Sequence, residues 1–413
     1  MTLILSKVLK IIKSTNKMHA GEKDRNIVHM DLDSFFVSVE VLQNSELKGK
    51  PLLIGGNSNR GVVASCSYEA RKYGIHSAMP MKMARRLCPH AIVLGGDSER
   101  YSYYSKMVTE VVAESVPMYE KSSIDEFYVD LTGMDRFFGA YQLATELRQR
   151  ITRETGLPIS FGFSINKTVS KVATNESKPN GQMQVYKGTE KVFLSPLTVN
   201  KLPQVGAKTY HLLRNMGVEK VLTLQQMPIE LLENVLGKSG HAIWMKAQGI
   251  DHTPVIPYSE RKSISAERTF TTDTTDMALL NSTLIAMTEK LAYKLRTKEK
   301  LTACVTVKVR YSDFDTQTTQ KAIPYTANDD ELIKVVKELF LKLYQRRVLL
   351  RLVGVRFSHL VNGGYQVNLF SDTSEQINLY QAIDRMKKRF GDGSLTRAVA
   401  LGIKQYDLPS FKG

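Results

Sequence analysis

Residues 26–40 read NIVHMDLDSFFVSVE, and the reading of this stretch decides the fold. Asn26 to Leu32 is an apolar run that ends on acids, which predicts a strand, and FFVSVEVLQ after it has the spacing of a helix. Asp31 and Asp33 stand at i and i+2, so a strand points them to one face. Two carboxylates on one face repel unless a cation sits between them. A second acid pair, Asp125-Glu126, lies in SSIDEFYVDLTG (122–133), at a turn between two apolar strands. If the fold brings Asp31, Asp125 and Glu126 together, they form a hard-oxygen cage for paired Mg²⁺. Such a pair can clamp the attacking and leaving oxygens of a phosphoryl displacement. Spacing alone also leaves these acids as solvated groups at strand ends.

Working outward, PLLIGG and Arg60–Ser65 predict two short strands, and Tyr68–Arg71 and Met79–Leu87 predict short helices. Arg100–Ser115 and Phe138–Glu154 have the pattern of longer helices. Met118–Ser122, Glu126–Leu131 and Ile159–Ser164 read as strands. The order strand, helix, two strands, helix, strand is that of a split βαβ palm, with residues 35–98 inserted into it. From 187 to 255 the character shifts to short helices joined by glycines. A polar, proline-marked linker (256–262) follows. A second βαββαβ order then runs over 263–360. Its strand Leu301–Tyr311 alternates, with Leu301, Ala303, Val305, Val307 and Val309 on a buried face and Thr302, Thr306, Lys308 and Arg310 on a wet, basic one. One helix is predicted around Leu379–Phe390.

The 413 residues imply several domains, and 42% hydrophobic content is ordinary for a globular protein. A net charge of +16 favours a polyanionic partner such as nucleic acid or an anionic membrane. Cys66, Cys88 and Cys304 are sparse and odd in number, without zinc spacing, as expected of a reduced cytosol. No apolar run approaches the roughly 20 residues of a membrane span. Residues 1–24 read as a disordered leader; Met18 offers a second start. A monomeric cytoplasmic protein is expected.

MDLDSFFVSVE, VVASCSYEARKYGI (62–75), SSIDEFYVDLTG and NKTVSKVATNESKPNG (166–181) together resemble the Y-family translesion DNA polymerases, most of all the bacterial DNA polymerase IV group. The motifs occur in the family's order, over roughly residues 25–360. The resemblance implies a right-hand polymerase of α+β class: palm at 25–34 and 99–186, fingers at 35–98, a helical thumb at 187–255, and a little finger at 263–360. It implies no proofreading domain and low fidelity. It further implies that Asp31, Asp125 and Glu126 are the catalytic carboxylates holding two Mg²⁺, with the Leu32 carbonyl assisting. Phe36, beside Phe35, would be a steric gate against the ribose 2′-OH. Tyr68, Arg71 and Lys178 would grip the incoming dNTP triphosphate, and Ser65 would belong to a small-residue roof over the nascent base pair. Whether Asp33 meets a metal stays open.

LPQVGAKTYHLLRNMG (202–217) resembles a helix-hairpin-helix, whose backbone amides hold a phosphate of primer-template DNA. Gly206 and Lys208 keep its pattern, whereas Gln204 stands where the family has Gly. LGKSG (236–240) reads as a second, looser copy. Lys308 and Arg310, with Arg296 and Lys298 nearby, are candidate phosphate contacts. QVNLF (366–370) resembles the peptide that bacterial polymerases insert into the sliding clamp, through Gln366, Leu369 and Phe370. Residues 361–413 form a tail around it, extending beyond that motif. Two other classes share part of this pattern. A two-metal nuclease would use similar carboxylates but need neither gate nor triphosphate grips. A non-catalytic DNA- and clamp-binding protein would predict damaged carboxylates, and all three are present.

Overall fold

The computed structural model describes residues 25–401 apart from 57, 59, 135–138, 258, 259, 347 and 364–373. The chain divides into two units between residues 258 and 259.

The first unit contains β1 (Ile27–Leu32), β2 (Leu52–Gly55), β3 (Val63–Cys66), β4 (Ile92–Leu94), β5 (Tyr119–Lys121), β6 (Glu126–Asp130), β7 (Ile159–Ser164) and β8 (Gln182–Gln184). Five of them form one sheet in the order β5-β6-β1-β7-β8. The central strand β1 is antiparallel to both β6 and β7 and is buried throughout. This explains why IVHMDL is apolar on both faces except where it meets the acids. The helices Ser98–Ser115 and Ala140–Thr155 pack Val108, Val112, Leu147 and Ile151 into a core with Val28, Met30, Phe127 and Val129. The helix Lys167–Ser177 packs closely against β7. Gly162 permits this approach: a Cβ there would lie 2.2 Å from the Ser170 carbonyl oxygen. The same helix turns Val169, Val172 and Ala173 towards a second core, with Leu194, Val199 and Leu213 of the glycine-joined helices. A separate small sheet, β3-β2-β4, turns Leu53, Val63 and Cys66 towards the short helices Tyr68–Arg71 and Met81–Leu87, while Leu52 and Ile54 join the main core.

The second unit is a four-stranded antiparallel sheet in the order β11-β10-β12-β9, built from β9 (Ser263–Thr274), β10 (Lys300–Tyr311), β11 (Thr316–Thr326) and β12 (Leu350–Asn362). The helices Met277–Thr297 and Asp329–Leu343 cover the face that carries Val305, Val307 and Val309. A further helix, Ser374–Phe390, returns to those two helices. Arg296 is nearly inaccessible and joins them, pairing through Nη1 with Asp329 and through Nε and Nη2 with Asp384 at 2.7 and 2.8 Å. Tyr380 donates to Asp330 Oδ2 at 2.7 Å.

Three differences from the sequence reading have physical causes. The period-2 count in β10 slips at a bulge between Thr302 and Cys304. Thr302 and Cys304 are therefore buried and Ala303 is partly exposed, the reverse of the expected alternation. The Thr302 hydroxyl is satisfied inside by donating to the Ser358 carbonyl at 2.8 Å. Arg296, expected to track phosphate, is instead a buried cation paired with Asp329 and Asp384. Strands β4 and β8 went unread because three residues carry no periodic signal. Among the described residues, no helix is long and apolar enough to cross a membrane.

Candidate active site

The end of β1 places the acids. Asp31 is the register partner of Glu126 on β6, and the next backbone N–H, that of Leu32, donates to the Asp125 carbonyl at 3.0 Å. The turn that carries Asp125 is fastened from behind, where Ser105 Oγ donates to the Ile124 carbonyl. Ser123 Oγ bonds Asp125 Oδ1 and accepts the Glu126 N–H. The backbone thus brings Asp31, Leu32, Asp125 and Glu126 to one rim of the sheet.

Lysines face these carboxylates. Lys171 Nζ lies 2.8 Å from each Glu126 oxygen, and Lys178 pairs with Asp31 Oδ1. Both come from the helix that Gly162 admits, or from the residue just beyond its end. Burial pushes the Asp31 carboxyl up to about 7, against the attraction of Lys178. Burial would also raise Glu126, but the Lys171 ammonium, bonded to both of its oxygens, outweighs it and holds that carboxyl below its usual range. His29 lies wholly inside, with its ring 2.9 Å from the Thr174 hydroxyl, and burial pushes it down to about 4, so it is neutral at pH 7. Its Nε2 is 3.9 Å from Glu126 Oε2, too far for a hydrogen bond, and has no partner. In these rotamers no three carboxylate, histidine or thiol groups among the described residues form a finished ion cage. The donor set, carboxylate oxygens and a backbone carbonyl at one rim, is nonetheless of the type a hard divalent cation takes.

Beside the acids, the helix Tyr68–Arg71 is capped by Ser67, which accepts the Ala70 N–H. Arg71 lies over the Tyr68 ring, 4.7 Å from its centroid, and reaches Ser34 Oγ at 3.3 Å. Burial, followed by the nearby Asp33 charge, pushes the Tyr68 phenol up, so it remains a donor at pH 7. Tyr68, Arg71 and Lys178 therefore line one flank of the Asp31 end of β1. Phe36 projects from the helix Phe35–Gln43 and stacks on Tyr101, while Phe35 is buried beside both. Ser65 is buried on β3, paired in register with Ile54.

The remaining candidates lie elsewhere. Gly206 is the N-cap of the helix Ala207–Asn215, and Lys208 is exposed in its first turn. Gln204 adopts φ 78°, a left-handed conformation suited to glycine. In the looser copy, Gly240 permits close helix packing, since a Cβ would meet the Leu232 carbonyl oxygen at 2.1 Å. In the second unit Lys308 pairs with Glu267 at 2.8 Å and Arg310 Nε bonds Thr316. Gln366, Leu369 and Phe370 fall outside the described residues. Sequence reasoning missed Lys171, His29 and Tyr101. A lysine in a helix announces no partner, and only the packing of that helix reveals Glu126 across from it.

Three family models match the chain: the impB/mucB/samB family over residues 30–175, the DNA polymerase-iota thumb domain over 200–251, and the impB/mucB/samB family C-terminal domain over 261–369. The chain is 37% identical over 375 residues to a DNA polymerase IV of Dehalococcoides mccartyi, covering 90% of this chain and 96% of that one. It is 36% identical to a DNA polymerase IV of Desulfatibacillum aliphaticivorans, with the same coverage. Among solved structures, the Y-family DNA polymerase chimera Dbh-Dpo4(243-245)-Dbh superposes with a TM-score of 0.74 at 26% identity, over 82% of this chain and all of that one.

Proposed function

The chain belongs to the impB/mucB/samB family of Y-family DNA polymerases, and from that premise we propose that it extends a DNA primer on a template with dNTPs, at low fidelity and across damaged bases. The observation that carries this reading is the Asp31–Glu126 register pair, with Asp125 fastened beside it and Lys171 and Lys178 facing the carboxylates.

Asp31, Asp125 and Glu126, with the Leu32 carbonyl, would hold two magnesium ions. When bound, these would supply positive charge to the primer hydroxyl and the triphosphate. Lys178 and Arg71 bind the triphosphate by charge, Arg71 as a fork and Lys178 as a point, and Tyr68 contributes a hydroxyl. Phe36 lies under the sugar and excludes a 2′-OH. Small side chains around Ser65 roof the base pair loosely, which lets distorted templates through. Residues 25–34 and 99–186 act as palm, 35–98 as fingers, 187–255 as thumb and 263–360 as little finger, joined by 256–262. The thumb holds DNA phosphates near Gly206 and Lys208, and the little finger does so through Lys308 and Arg310. Gln366–Phe370 engages a sliding clamp, and the protein works as a monomer in the cytoplasm.

Primer extension on templates with and without a single abasic site tests this reading. Short, distributive synthesis that crosses the lesion is expected. Arrest at the lesion under all conditions would remove the bypass assignment. Deleting 366–370 should abolish clamp stimulation and leave basal synthesis intact; surviving stimulation would place the clamp contact elsewhere.

A further inference from the structure

Asp33 is the acid left without a role, and its surroundings give it one. Only 2% of its surface is exposed, so its carboxylate must be satisfied from within. Asp31 and Glu126 meet this demand with ammonium groups. Asp33 meets it with neutral donors from three separate segments. Its Oδ1 accepts the Tyr68 hydroxyl at 3.0 Å. Its Oδ2 accepts Ser160 Oγ from β7 at 2.8 Å and the Asn180 backbone N–H at 2.7 Å. Asp33 itself is held: its N–H donates to the Pro158 carbonyl at 2.9 Å, and its carbonyl accepts Ser38 Oγ at 2.6 Å. Asn180 is gripped from the other side by Arg148 Nη2, which reaches its carbonyl at 2.6 Å and its Oδ1 at 2.7 Å.

We propose that Asp33 is a positioning residue for the incoming nucleotide and not a metal ligand: one carboxylate oxygen fixes Tyr68, and the other fixes the loop that carries Lys178. The inference rests on the polymerase reading above, in which Tyr68 and Lys178 contact the triphosphate. It goes beyond that reading in assigning one buried acid to the placement of two groups from separate segments. Asp33 touches no substrate and acts through Tyr68 and Lys178. Its loss falls on nucleotide binding and spares the carboxylates at the rim.

The experiment is steady-state primer extension by the full chain carrying Asp33→Ala or Asp33→Asn, with dNTP and Mg²⁺ titrated separately. Asp33→Ala should raise the KM for dNTP about tenfold, the worth of a charge-assisted hydrogen bond. It should leave kcat within about threefold and the Mg²⁺ midpoint unchanged. Asp33→Asn keeps an acceptor for Ser160 and Asn180, and should restore most of the loss. Tyr68→Phe should raise KM in the parent chain and add little in Asp33→Ala, since the two changes break one linkage. A shifted Mg²⁺ midpoint with a collapse of kcat like that of Asp31→Ala would make Asp33 a metal ligand and overturn the proposal. An unchanged KM with lowered stability would reduce it to a structural acid. Hydrogen exchange reads the tether without activity: Asp33→Ala should speed exchange at Asn180 and leave β1 protected, and unaltered exchange at Asn180 would also overturn it. Failure of the polymerase reading shows differently, as absence of extension by the unmodified chain.

Discussion

Phe36 lies ring on ring with Tyr101, centroids 4.2 Å apart and planes 12° from parallel. Tyr101 is itself held by a 2.7 Å hydrogen bond to Glu40 Oε1, and Arg100 reaches the other oxygen of that carboxylate at 3.3 Å. The proposed gate role requires a ring that does not yield, and this stack stiffens Phe36. Phe36→Ala should lower discrimination against ribonucleotides by roughly 10- to 100-fold, the cost range of an overpacked contact. Tyr101→Ala should act in the same direction and less strongly. Competing rNTP and dNTP incorporation measures both; unchanged sugar selectivity in Phe36→Ala would remove the gate.

Arg296 pairs with both Asp329 and Asp384, at 4% side-chain exposure. Removing it takes from the buried Asp329 and the partly buried Asp384 the ion-pair partner they share. Arg296→Ala should cost about 3–5 kcal/mol and loosen the helix Ser374–Phe390. Urea unfolding and limited proteolysis report the two effects. A loss no larger than that of an exposed arginine would show that the network contributes little.

His29 supplies a pH dependence. Its folded value of about 4 lies below its ordinary 6.5. Between those values the unfolded chain binds a proton here and the folded chain does not, so stability is present above about pH 6.5 and is lost as pH falls towards 4. The shift corresponds to roughly 3 kcal/mol across that window. Unfolding free energies from urea titrations of the parent chain and His29→Gln, taken from pH 7 to pH 4, should show the parent losing about that amount relative to the variant as pH falls. Parallel curves would place the titration elsewhere.

Gln204 holds a left-handed backbone conformation with an L side chain. Gln204→Gly should stabilise the chain by up to about 1 kcal/mol, part of the strain being offset by the freer unfolded chain. Gln204→Val should destabilise it. Thermal unfolding of the pair decides, and equal stability would show that the strain is relaxed locally.

The central strand, the acid turn and the βαββαβ order were legible because each writes its periodicity into consecutive residues. The bulge at Thr302 was not, since one extra residue inverts the faces without altering composition. Pairings such as Lys178 with Asp31, 147 positions apart, exist only after the sheet closes. Arg296 shows the same limit from the other side. A basic residue near a predicted wet face reads as a nucleic-acid contact until the packing of two acids around it is known. Asp31, Asp125 and Glu126 could be listed from motif resemblance, but their fastening by Leu32, Ser105 and Ser123 required the fold.

The measurement that bears most directly on the account is primer extension by the parent chain, Asp125→Ala and Glu126→Ala, with primer-template binding measured in parallel. The account predicts extension by the parent chain with Mg²⁺ and dNTPs, none by either variant, and undiminished DNA binding by all three. Extension by Asp125→Ala at the parent rate, or shortening of the primer by the parent chain, would contradict it.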